Sequence, residues 1–214
     1  MRPVPLTVVF LSIAVAVPAF KDFGQPGWTC PNAVMRKSKS VPTSVHSLRP
    51  ADIDIVAAIG DSLTAGNGAG AHPDDPIAVL IQYRGLTFSI GGDKTLDEHI
   101  SVANILKRFN PDVFGYSIGT GSADVWEKAH LNLGIPGAHS LQMMEQAKDL
   151  VERMKKHPEI DFENHWKAVF LFIGGNDICG SCDYEEGARG HIFRDRIGNA
   201  VQYLHDHLPK LEII

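Results

Sequence analysis

The sequence predicts an α/β domain built on a mostly parallel sheet. Short runs with the length and composition of buried strands stand at Ile53 to Ile59, Leu131 to Ile135 and Ala168 to Ile173. Segments with apolar residues at helical spacing separate and follow them. Strands that alternate with helices in this way favour parallel pairing with helices on both faces.

Bulk properties agree with a single domain. The 214 residues are 44% hydrophobic and 21% charged, enough for a sizeable core. The net charge is −5, and no basic run stands out. That argues against nucleic acid or another polyanion as a partner. Residues 2–20 read as a secretory signal: Arg2 is the positive start, Val4 to Val17 the apolar core, and Ala14 to Ala19 supply small residues for cleavage. The apolar run is short for a membrane span. Export permits disulfides, and three cysteines, Cys30, Cys179 and Cys182, leave at least one unpaired if a bond forms within the chain. No Asn-x-Ser/Thr sequon occurs. Residues 21–50, rich in proline, serine and basic residues without periodicity, read as an extended leader over a domain spanning 51–214.

The elements follow in order. Ile53 to Ile59 breaks sharply at Gly60-Asp61-Ser62, and glycines recur at 66, 68 and 70. Ile77 to Gln82 and Leu86 to Ile90 are short apolar runs around Tyr83-Arg84-Gly85. Leu96 to Phe109 is predicted helical and stopped by Asn110-Pro111. Leu131 to Ile135 is the second strand, ended by Pro136-Gly137. Ser140 is predicted to cap a helix running to His157, with Leu141, Met144, Val151 and Met154 on one face. After Ala168 to Ile173, a helix carries Ile197, Val201, Leu204 and Leu208 and stops at Pro209. Leu211 to Ile214 looks like a strand beginning. An edge left there would bare apolar surface, so the chain reads as an incomplete copy of a longer domain.

Ser62 lies just past the carboxyl end of a strand, where open α/β sheets gather ligands. A glycine before it permits a tight turn, and a neighbouring backbone N–H can face an oxyanion. Its plain alternative is an ordinary turn serine. Gly60-Asp61-Ser62-Leu63 spells GDSL, and four more stretches follow the same order: Leu48 to Asp52, Tyr83 to Asp93, Leu131 to Ser140 and Phe172 to Asp177. On these five the chain resembles the GDSL (SGNH-type) lipases and esterases, most of all their phospholipase B branch. The resemblance implies a three-layer, flavodoxin-like sheet and hydrolysis of phospholipid or lysophospholipid esters through an acyl-serine. No metal or other cofactor is implied; the partner is the lipid ester, with membrane-surface association through it.

By that resemblance Ser62 is the nucleophile, and its own N–H, the N–H of Gly137 and the side-chain amide of Asn176 form the oxyanion hole. Asp177 is one choice of triad acid. The family's usual base and acid come from an Asp-x-x-His motif downstream, and this sequence contains none. His191, His205 and His207 fall in or near an amphipathic helix, where a solvated surface role is the ordinary reading; His139 sits beside Gly137 at a helix start. The chain as written therefore lacks its base, and the competing reading is a non-catalytic fragment or pseudoenzyme that at most binds lipid. Gly115-Tyr116-Ser117-Ile118-Gly119 fits the Gly-x-Ser-x-Gly elbow, but only Asp112-Val113-Phe114 precedes it, too little strand for that device. Cys179-Gly180-Ser181-Cys182 with His191 lacks the second pair that zinc needs; in an exported chain a disulfide, local or to Cys30, is the simpler use.

Overall fold

In the computed structural model, which describes residues 23–180 and 190–214, the sheet is built outward from β1, Ile53–Gly60. The signal at residues 2–20 and Cys182 lie outside the described residues. One edge of β1 pairs in parallel with β2, Trp166–Phe172, which pairs in parallel with β3, Leu211–Ile213. The other edge is shared. Phe114 exchanges backbone bonds with Asp54 and Val56 at 2.8 and 2.9 Å, while Leu131, Leu133 and Ile135 bond the upper half as far as Gly60. The run at 131–135 thus lies beside β1 as expected, but as an isolated parallel bridge rather than a full strand. It shares the edge because residues 113–114 hold the lower half and then leave. At Gly115 (φ +101°) a Cβ would come within 2.3 Å of the Val56 carbonyl, so the chain swings away. Ser117 then pairs in parallel with the 90–92 segment.

Helices cover both faces. Ile55, Ala57 and Ile59 of β1 and Val169 of β2 pack against Leu150, Val151 and Met154 of one helix and Leu204 of another. Val56 and Ala58 of β1, with Ala168 and Phe170 of β2, meet Ala103 and Leu106 of a third helix on the opposite face. Alternate residues thus feed two cores, as a strand's period of two requires. The helices, in chain order, are α1 (Val102–Phe109), α2 (Trp126–Ala129), α3 (Met143–Lys156), α4 (Gly175–Cys179) and α5 (Gly190–His207). With α1 on one face and α3 and α5 on the other, the result is the three-layer arrangement expected.

Two helix starts differ from the sequence reading. The helix expected from Leu96 begins at Val102, because the Ser101 hydroxyl accepts from Asn104 N and caps it there. Residues before the cap are drawn off instead to the leader, where Gln25 N donates to Leu96 O and Ile100 N to Phe23 O. Ser140 does not cap α3. It opens a 3₁₀ turn, Ser140–Gln142, and α3 starts after it. Three residues per turn in place of 3.6 shifts the phase. The buried face is therefore Met143, Gln146, Ala147, Leu150, Val151 and Met154, and Leu141 is exposed.

Residues 23–50 run over the body through a series of turns and a short 3₁₀ helix, Val45–Ser47. Trp28 meets the Phe109 ring edge-on, and Pro42 O accepts from the Trp166 indole at 3.0 Å. Cys30 and Cys179 are not bonded to one another.

Candidate active site

Three turns meet at the carboxyl ends of β1 and β2. The first follows Gly60, whose backbone is held from both sides by the buried amide of Gln146 on α3. Gly60 N donates to Oε1 at 2.8 Å, and Nε2 donates to Gly60 O at 2.9 Å. A Cβ on Gly60 would lie 2.2 Å from Thr64 Oγ1 and 2.3 Å from Phe172 O, so only glycine lets the strand ends close up here. Asp61 is buried and accepts from Leu63 N at 2.9 Å, an Asx turn that folds the chain over at once. Ala65 N to Asp61 O and Asn67 N to Ser62 O complete one helix-like turn that does not continue. Ser62 is half-buried on it, and among the described residues nothing hydrogen-bonds its hydroxyl.

The second turn is Ile135-Pro136-Gly137-Ala138. Ile135 N donates to Gly60 O at 3.1 Å, which hangs this turn directly from the end of β1. Gly137 adopts φ +79°, is exposed, and has open space where a side chain would be. An approaching carbonyl would meet no obstruction there.

The third turn leaves β2 through Gly174 (φ +125°) and carries Asn176 and Asp177 on α4. Asn176 Nδ2 donates to Ala138 O at 2.8 Å, leaving its second N–H for another acceptor. Asp177 is buried and both its oxygens are taken by Ser140, from the backbone N–H and from the hydroxyl at 2.6 Å. A Cβ on Gly175 would sit 3.8 Å from Asp61 Oδ2, so the third turn lies against the first.

Of the residues the sequence singled out, Ser62, Gly137 and Asn176 stand on turns that touch one another. Asp177 stands there too, but it braces Ser140. Among the described residues no histidine bonds Ser62. His139 donates its backbone N–H to Gln142 Oε1. His191, His205 and His207 are exposed, and the His207 ring stacks on Tyr203 at 3.9 Å. Ser117 is fully buried and donates to Arg84 O at 2.8 Å, a packing serine and no elbow.

Three residues beneath the turns were not picked out from the sequence as site residues: Gln146, Asn132 and Arg84. A glutamine in an apolar helical stripe and an asparagine inside an apolar run were the signals available. Asn132 is fully buried and donates to Thr64 O at 2.9 Å. The Arg84 guanidinium, also fully buried, donates to Asn132, Gly134, Gly121 and Gln82. Burial pulls its pKa down to about 10, so it stays charged at neutral pH.

A strand-end serine on a turn tied to a glycine turn and to an asparagine-bearing turn is an arrangement suited to acyl transfer. The family model for GDSL-like lipase/acylhydrolase matches residues 56–214, which takes in all three turns. The chain belongs to that family. It is similar to the membrane-associated phospholipase B1 of Rattus norvegicus and to that of Mus musculus, each 46% identical over 183 residues, or 86% of this chain. The protein of that name from Homo sapiens is 46% identical over 173 residues, 81% of the chain. The chain spans 12% of the length of these curated relatives. No solved structure matches it. Among the described residues no helix is long and apolar enough to cross a membrane.

Proposed function

We propose that this GDSL-family domain hydrolyses carboxylic ester bonds of phospholipids and lysophospholipids. Ser62 Oγ attacks the ester carbonyl while a general base, which no described side chain beside Ser62 supplies, takes its proton and returns it to the departing alcohol oxygen; the resulting acyl-serine is then cleaved by water. The N–H groups of Ser62 and Gly137 and the amide of Asn176 stabilise the charge that develops on the carbonyl oxygen. A preorganised donor of this kind contributes about 3–4 kcal/mol in favourable cases. The observation that carries the reading is the bond from Asn176 to Ala138, which ties the asparagine to the Gly137 turn while Gly60 ties both to the serine. The likeness to phospholipase B1 supports the choice of substrate.

The chain works after export, with residues 1–20 as the signal and 51–214 as the hydrolase domain, and it meets its substrate at a lipid surface. Apolar side chains next to the serine turn support the last point. Leu63 follows Ser62 and is half exposed, and Ile77 and Leu80 are each 72% exposed. Their segment is fastened to the serine turn by Gly68 N to Ile81 O and Tyr83 N to Gly66 O, both 3.0 Å. Exposed apolar groups clustered beside a site mark an interaction surface.

A fluorophosphonate labels an activated serine, so it reads nucleophile and base together. The expected result is label on Ser62, loss of label in Ser62→Ala, and parallel loss of fatty-acid release from phosphatidylcholine. Label on another residue, or release that survives Ser62→Ala, overturns the reading.

A further inference from the structure

Arg84 is a buried cation without a counter-ion among its hydrogen-bond partners. Its five bonds run from Nε to Gly121 O (2.7 Å), from Nη1 to Asn132 O and Oδ1 (2.9 Å each), and from Nη2 to Gln82 Oε1 (2.6 Å) and Gly134 O (2.7 Å). Every acceptor is a neutral carbonyl or amide oxygen. Desolvating a guanidinium is expensive, and the carboxylate that acts on it, the exposed Asp124, forms no hydrogen bond with it. A residue needed only to fill space would be apolar.

The partners explain the placement. Asn132 passes the grip to the serine turn, since its Nδ2 donates to Thr64 O at 2.9 Å, two residues past Ser62. Its Oδ1 also accepts from Gly134 N at 3.1 Å, three residues before Gly137. The two turns press together here: a Cβ on Gly134 would come within 2.8 Å of Ala65 N. The ring closes through Ser117, which donates to Arg84 O and accepts from Asn132 Nδ2 at 3.3 Å. One planar fork thus holds the backbone at 132 and 134 and, through one amide, the backbone at 64. Lysine, with three donors on one atom, cannot span that set.

We infer that Arg84 is a positioning residue for the oxyanion hole, holding the serine turn and the Gly137 turn in register through Asn132. The inference rests on the proposed use of Ser62 and is tested beside it.

Arg84→Lys, Arg84→Ala and Asn132→Ala are compared with the parent chain and with Ser62→Ala. For a short soluble ester, kcat is expected to fall about a hundredfold in Arg84→Lys with KM changed little, the pattern of support given in the transition state. Free guanidinium at non-denaturing concentration is expected to restore part of the rate in Arg84→Ala and none in Arg84→Lys. Amide hydrogen exchange is expected to rise together at residues 62–66 and 134–138 in Arg84→Lys and Asn132→Ala, with β1 and α3 unchanged; this readout needs no turnover. A variant that melts earlier but keeps kcat and leaves exchange at the two turns unaltered overturns the inference. Activity that survives Ser62→Ala overturns the underlying reading instead.

Discussion

Ser140 and Asp177 form a closed pair: the serine donates its backbone N–H to both carboxylate oxygens, at 2.9 and 3.1 Å, and its hydroxyl to one at 2.6 Å. The pair joins the turn that carries Asn176 to the residues that lead into α3. It gives Asp177 a task that differs from that of a triad acid, which would orient a histidine.

The two roles separate by mutation. If Asp177 braces the Asn176 turn, Ser140→Ala should reproduce most of the loss seen in Asp177→Asn. Each should lower stability by about 1–3 kcal/mol, the range for unpairing a buried polar group. Ester turnover by the two variants, with urea unfolding alongside, is the check. A large loss in Asp177→Asn with Ser140→Ala fully active would return Asp177 to the triad.

Gln146→Leu removes both bonds that α3 makes to Gly60, leaving the Gly60 N–H buried without that partner while Gly60 O keeps Ile135 N. The expected cost is about 2 kcal/mol, and the strand end that sets Ser62 loosens with it. Denaturant unfolding reads the first effect, and the rate of fluorophosphonate labelling the second.

Gly60→Ala should be far worse than its one added methyl suggests. The new Cβ would need to sit within 2.3 Å of the Phe172 carbonyl and closer still to Thr64, so β1 and β2 must part at the site. Loss of labelling at Ser62 together with a lower melting temperature is expected. At Gly137, where the space is open, alanine meets no atom and strains only the backbone, so a smaller loss of stability is expected there.

Lys167 supplies a pH dependence remote from the site. Its buried ammonium donates to the carbonyls of Phe162, His165 and Pro209, and burial pushes its pKa down to about 8. The unfolded chain holds that proton up to the ordinary lysine range, so between about 8 and 10.5 the unfolded state binds more protons than the native one. The Lys167 contribution to stability therefore rises with pH across that window and is flat below it. Unfolding free energies of the parent and Lys167→Met at pH 7.5 and 9.5 measure this; the parent should gain on the variant at the higher pH.

Ile77→Asp and Leu80→Asp test the lipid-facing segment. From Gly60 to Tyr83 the sequence holds no lysine or arginine, so attraction to the surface should be apolar and insensitive to salt. Binding to phosphatidylcholine vesicles and release of fatty acid from them should fall in both variants, while a soluble short ester is cleaved as before. Equal loss on both substrates would place the segment in the fold rather than at the lipid surface.

The sequence by itself determined the parts that repeat or punctuate: strands read at 53–59 and 168–173, which the structure places at 53–60 and 166–172, the α5 stripe, the turn at Gly60, and the motifs that mark the family. Those signals are local, since a strand's apolar run and a helix's spacing lie within a dozen residues. Only the tertiary structure decided which helix starts would move. Ser101 claims one, and the 3₁₀ turn that Asp177 stabilises from 37 residues away shifts the other. It also decided what Asp177, Gln146, Asn132 and Arg84 do, because each acts on backbone groups far along the chain. A buried polar side chain is satisfied by whatever the fold brings to it, and a linear pattern does not contain that partner.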